Sequence, residues 1–107
     1  MNVLIDKKSG KFVGQCGLLI QVVDGIELEV GYSIMPEFRN QGFASEASQK
    51  CIQYAFEKGL QESVISIIHV DNVESEKVAL KNKMVLDRRT IYNNNPVNIY
   101  RIKKTAV

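Results

Sequence analysis

The stretch that most limits what this chain can fold into is a strand-like run, residues 63–70, in which Val64, Ile65, Ile67, Ile68 and Val70 leave neither side polar. Such a strand must be central and covered on both faces. Upstream, residues 44–58 give the clearest helical pattern. Ala44, Ala47, Cys51, Ile52, Ala55 and Phe56 recur at three- and four-residue spacing, while Glu46, Lys50, Gln53 and Glu57 face away. Gly59 ends that helix. Before it, residues 26–35 read as a strand with Leu28, Val30, Tyr32 and Ile34 on one face and Glu27, Glu29, Gly31 and Ser33 on the other. Strand, loop, helix, strand is a βαβ unit with a right-handed crossover. It puts the loop 39–44 at the carboxyl end of the first strand, where open α/β sheets hold their ligands.

The rest of the chain is short and mostly extended. Residues 2–6 and 12–23 read as strands joined by a turn at 7–11, and Asp24 with Gly25 turns the chain into the strand 26–35. Pro36 cannot donate to a ladder, so it ends that strand's pairing or splays it from its neighbour. Gly14 and Gly17 stand in a GxxG spacing but inside a strand, which favours a bulge or close packing over nucleic-acid clamping. Asn72 caps a second helix over 73–83, whose sheet-facing side carries Val73, Leu80 and Met84 with help from Ala79. Residues 85–92 and 97–103 form a hairpin around 93–96. The expected fold is α/β (α+β): a mixed, mostly antiparallel sheet with a central βαβ unit and two packed helices, in a single domain over 1–107.

Charge and composition remove several classes of function. The 14 basic and 12 acidic residues are interspersed and sum to +2, which leaves no extended basic face for nucleic acid. The pairs Arg88, Arg89 and Lys103, Lys104 read as solvated surface. The longest uncharged run, residues 12–23, is too short and too broken by Gly and Gln to span a bilayer, and the start lacks a signal-peptide pattern. The two cysteines, Cys16 and Cys51, read as small core residues of a reducing compartment, and no metal-ligand spacing occurs. The expectation is a cytoplasmic protein without metal, membrane or nucleic-acid partners.

Chemistry concentrates in the loop Arg39, Asn40, Gln41, Gly42, Phe43, Ala44. The first N–H groups of a helix lack intrahelical partners and carry the positive end of its dipole, so a phosphate set there meets several donors at once. Gly42 allows close backbone approach, Arg39 adds a cation, and small Ala44 and Ser45 leave the first turn clear. Plain turns of this composition also exist. The loop is not a P-loop, because Phe43 and Ala44 follow the glycine, and it lacks the three glycines of a dinucleotide fingerprint.

Its Arg-x-x-Gly-x-Ala form, after Glu29-Val30-Gly31-Tyr32-Ser33-Ile34 and before an amphipathic helix, resembles the acetyl-CoA-binding motif of the GNAT N-acetyltransferase superfamily. Asn72-Val73-Glu74-Ser75-Glu76-Lys77-Val78 is similar to the Asn-x-x-Ser-x-x-Val segment of the ribosomal-protein N-acetyltransferase-like subgroup, and residues 96–102 are similar to its closing strand. The resemblance implies acetyl-CoA as acetyl donor, its pyrophosphate wrapped by the amides of residues 39–44, its pantetheine arm met by backbone groups of Ile34 and Met35 and by the Asn72 amide. It implies direct transfer to a primary amine, of a protein N-terminus or a small molecule. Glu29 matches the strand position that serves as base, a strand amide near Met35 the oxyanion donor, and Ser75 the acid that protonates the thiolate. His69 has no role in that pattern and reads as a hydrogen-bonded histidine near the sheet edge.

Two departures stand out. Lys83 occupies the place where the subgroup usually has a glycine, which strains a left-handed helix end. The family's initial strand and two helices, which build much of the acceptor site, have no counterpart, so the chain is expected to be N-terminally truncated. A homodimer could then cover the bared elements, and the alternative function is a non-catalytic CoA-binding or structural fragment.

Overall fold

The computed structural model describes residues 2–106, so Met1 and Val107 of the expected domain lie outside the described residues. Six strands form one sheet in the order β1-β2-β3-β4-β6-β5: β1 (Asn2–Ile5), β2 (Phe12–Val22), β3 (Ile26–Ile34), β4 (Ser63–His69), β5 (Val85–Tyr92) and β6 (Asn95–Lys103). Only β3 and β4 pair in parallel; every other neighbouring pair is antiparallel. Helix α1 (Phe43–Glu57) supplies the crossover between the parallel strands, and α2 (Val73–Lys81) follows β4. The mixed sheet with its central βαβ unit and two helices is the expected fold. No helix among the described residues is long and apolar enough to cross a membrane.

The two faces of β4 are covered by different means. Val64 and Ile68 pack with Ile52, Ala55 and Phe56 of α1 and with Ala79 of α2 in the main core. Ile65 points the other way and joins Val23, Val97 and Ile99 in a second core. That second cover is a hairpin. The far end of β2–β3 curls over the sheet until Arg88 donates to the Val23 carbonyl at 3.2 Å and the Tyr92 hydroxyl donates to Gln21 at 2.7 Å, although three strands separate β2 from β5 in the sheet. The bidentate Arg101–Glu27 pair, at 2.7 and 2.9 Å, fastens the same overlap.

Gly14 is a close-approach position, as its strand setting suggested: a Cβ there would stand 2.1 Å from the Ser33 carbonyl oxygen. The phase of α2 differs from expectation. Ala79 and Met84 are buried, but Val73 and Leu80 are more than half exposed. Two tyrosines from the sheet set the rotation, because Tyr32 donates to the Ser75 carbonyl at 3.2 Å and Tyr100 to the Glu76 carboxylate at 2.9 Å. Those bonds turn the 75, 76 and 79 side inward and leave 73 and 80 outward. Met84 lies beyond the helix and is drawn in by its closing turn, where the Met84 N–H reaches the Ala79 carbonyl.

Candidate functional site

The parallel strands meet where Glu29 pairs with Ile65. Beyond that point residues 30–34 of β3 pair with β2, and a cleft of about 510 Å³ opens between the end of β3, the start of α1 and one face of α2. The splay therefore begins at Glu29, well before Pro36, which instead starts a short 3-10 turn (Pro36–Phe38).

The loop on the α1 side is rigidly built. Arg39 donates through Nε to the Ile34 carbonyl at 3.2 Å, Gln41 through its amide to the Glu37 carbonyl at 3.0 Å, and the rings of Phe38 and Phe43 meet edge to face at 5.7 Å. Asn40 and Gly42 take positive φ, 62° and 87°. Gly42 is the N-cap of α1 and supplies no side-chain acceptor, so the first-turn amides face the cleft uncapped. Nothing stands within 4 Å of where a Gly42 Cβ would be, which leaves room for a ligand against the backbone.

From α2, Glu74, Ser75, Lys77, Val78 and Lys81 line the opposite wall. Arg39, Lys77 and Lys81 form no ion pair among the described residues, whereas Arg88, Arg101 and Lys50 all do. The wall is held against α1 by a buried bond from the Asn82 amide to Ser48 at 2.7 Å, which brings Lys81 close to the first turns of α1. One cleft thus gathers open amides and three cations without an ion-pair partner among the described residues, against one carboxylate, Glu74, a donor set suited to a polyanion such as a pyrophosphate.

Of the expected site residues, Ile34, Arg39, Asn40, Gly42, Phe43, Ala44, Asn72 and Ser75 line this cleft together. Met35 and Gln41 do not; Gln41 serves the loop's own backbone, and the Met35 N–H is already given to the Val13 carbonyl at 2.7 Å. The Met35 amide itself is therefore occupied, and the bond leaves the neighbouring strand amides untouched. Asn72 caps α2, its Oδ1 accepting from the Ser75 N–H at 3.1 Å. Glu29 lies outside the lining, at the root of the splay on the face away from the helices. Burial raises its carboxyl above the ordinary 4.5, opposed by hydrogen bonds from Gln21 and the Ile67 N–H. Neither Glu29 nor Ser75 makes a bond to the other.

Residues 1–85 match the model of the acetyltransferase (GNAT) domain. The chain belongs to the GNAT acetyltransferase family. It is 30% identical over 92% of its length to the uncharacterized protein YkkB of Bacillus subtilis, and 33% identical over 71% of its length to the uncharacterized N-acetyltransferase YoaA of the same organism. The aligned regions span 58% and 46% of those two relatives. Among solved structures, the ribosomal-protein-S5-alanine acetyltransferase of Vibrio fischeri superposes with a TM-score of 0.80 at 20% identity, covering 95% of this chain and 60% of that one. At that identity the likeness speaks for the GNAT fold.

Within the GNAT cleft, sequence reasoning missed Tyr32, Glu74, Lys77 and Lys81. The signal was present for three of them: 74, 77 and 81 follow Asn72 at helical spacing on one face of α2. Tyr32 read as packing. Its side chain is half-buried, which raises its hydroxyl pKa, but the hydroxyl reaches the Ser75 carbonyl at the cleft wall.

Proposed function

We propose that this GNAT chain binds acetyl-CoA in the cleft and moves its acetyl group to a primary amine, of a protein N-terminus or a small molecule. The observation that carries the reading is the convergence of uncapped α1 amides with Arg39, Lys77 and Lys81 in one cleft. Residues 42–45 and the three cations would hold the pyrophosphate, with Ile34 and Asn72 along the arm. Acetyl-CoA supplies the activated thioester. Glu29, at the splay root, takes the amine's proton through water, and its raised pKa makes it a stronger base than an exposed glutamate. Ser75, whose backbone N–H and carbonyl are held by Asn72 and Tyr32, would return a proton to the thiolate.

Calorimetric titration with acetyl-CoA, followed by an assay of CoA release with a free-N-terminus peptide or a diamine, tests this. A dissociation constant in the micromolar range is expected, and no binding up to about 1 mM overturns the reading. Glu29→Gln should leave that constant unchanged and cut kcat about 10²-fold or more. A base is lost as pH falls through its folded pKa, here above 4.5, so kcat/KM should show an acid limb above pH 4.5 that Glu29→Gln removes. The second reading, CoA binding without turnover, is favoured by Glu29 standing outside the cleft lining and by the occupied Met35 amide. Binding with no CoA release would select it.

A further inference from the structure

On the far side of α1 from its loop, Cys16 of β2 and Cys51 of α1 place their sulfurs 3.6 Å apart, and both are free. Neither has a part in the donor cleft. We propose that they form a peroxide-responsive thiol pair, oxidised to an intramolecular disulfide that ties β2 to α1. The separation is about 1.5 Å longer than an S–S bond, and the two side chains already point at one another from different elements. Access is asymmetric. Both cysteines line a mostly apolar groove of about 380 Å³, walled by Leu4, Leu18, Ala47, Tyr54 and Lys50, that a molecule as small as hydrogen peroxide can enter, but Cys16 is only 1% exposed while Cys51 is half-buried.

That asymmetry sets the order of events. The Cys51 thiolate attacks one peroxide oxygen, the O–O bond breaks, and sulfenic acid forms on Cys51 with loss of hydroxide, which takes up the proton that Cys51 gave up. The Cys16 sulfur then attacks the sulfenic sulfur, and its proton leaves with the hydroxyl group as water. Two thiols lose two electrons, one peroxide gains them, and two waters result. Burial, with Cys51 alongside, pushes the Cys16 thiol up to about 12, in keeping with its place as the resolving rather than the attacking sulfur. The bond would close a loop of sequence separation 35 that contains β3 and the donor loop.

The purified chain, treated with a slight excess of hydrogen peroxide, should lose two hydrogens by intact mass without dimerising. Its Tm should rise by about 10 °C or more, and dithiothreitol should reverse both changes. Cys51→Ser should show neither change. In Cys16→Ala, dimedone should trap a sulfenic acid on Cys51 after peroxide, since the resolving sulfur is gone. An unchanged mass, a disulfide-linked dimer, or a dimedone adduct persisting on the wild-type chain would each overturn the proposal. None of these readouts depends on the chain binding acetyl-CoA.

Discussion

Both helices of this chain begin at the same cleft, and they begin in opposite ways. At α1 the N-cap is Gly42, left-handed and without a side-chain acceptor. At α2 the N-cap is Asn72, whose Oδ1 takes the Ser75 N–H, and Glu74 and Glu76 add negative charge to the first turn, where α1 has Glu46 alone. A helix start satisfied by its own residues has little left for an anion, while one left open has its amides and dipole available. On the proposed reading α1 would offer main chain to the pyrophosphate, whereas α2 would offer side chains, Lys77 and Lys81, from further along its length.

The sharpest way to break this contrast is at Gly42. Its φ of 87° is open to glycine and hostile to a β-branched residue, although nothing crowds the Cβ position. Gly42→Val should therefore rotate the first-turn amides out of place and weaken acetyl-CoA about thirtyfold, equivalent to about 2 kcal/mol, in a calorimetric titration. An unchanged affinity would mean that the start of α1 is not where the anion sits.

On the α2 side the expected effect is smaller and differs in kind. Lys77→Gln with Lys81→Gln removes two exposed cations, each worth about 1 kcal/mol or less. Affinity should fall about tenfold, and its dependence on salt should flatten, because long-range attraction by these side chains is what salt screens. A loss with the salt dependence intact would argue for a shape change in the wall instead.

How much of this was legible in the residues differs by element. The βαβ core announced itself through the apolar runs at 63–70 and 44–58, and the turn into α1 through Arg39 and Gly42, because periodicity and glycine report local geometry. The second cover of β4 was not legible. It comes from a hairpin that curls across three strands, and its fasteners, Arg101 with Glu27 and Tyr92 with Gln21, are paired only by that tertiary path. The phase of α2 was misread for a related reason. Val73 and Leu80 have the hydrophobicity to face inward, but hydroxyls on neighbouring strands decided the rotation. In the candidate site, Asn72 was readable as a cap from spacing alone, while the placement of Glu29 outside the cleft depends on where β3 and β4 part.

Asn72 separates capping from ligand contact. Asn72→Ala removes the acceptor for the Ser75 N–H and should cost about 1 kcal/mol of stability, a fall in Tm of about 4–8 °C in thermal unfolding. Asn72→Ser restores a cap and should recover most of that loss. If capping is the whole role, acetyl-CoA affinity in Asn72→Ser stays within about twofold of wild type, within the scatter of surface substitutions. A larger drop would show that the amide itself meets the ligand, and the contrast between the two helix starts would narrow.

The helix ends repeat the comparison with the residue types altered and give the smallest expected effect. Both close with the same pair of bonds, Leu60 N–H to Ala55 and Gly59 N–H to Phe56 in α1, Met84 N–H to Ala79 and Lys83 N–H to Leu80 in α2. Both put the residue after the C-cap in the left-handed region, Gly59 at 63° and Lys83 at 65°. Only the second carries a Cβ there. Holding a lysine in that region costs about 1 kcal/mol, partly offset because lysine has less backbone freedom to lose on folding than glycine. Lys83→Gly should accordingly stabilise the chain by about 0.5 kcal/mol in urea unfolding, with acetyl-CoA affinity unchanged because Lys83 is not in the cleft lining. Destabilisation instead would mean that the lysine side chain contributes more than its backbone strain removes.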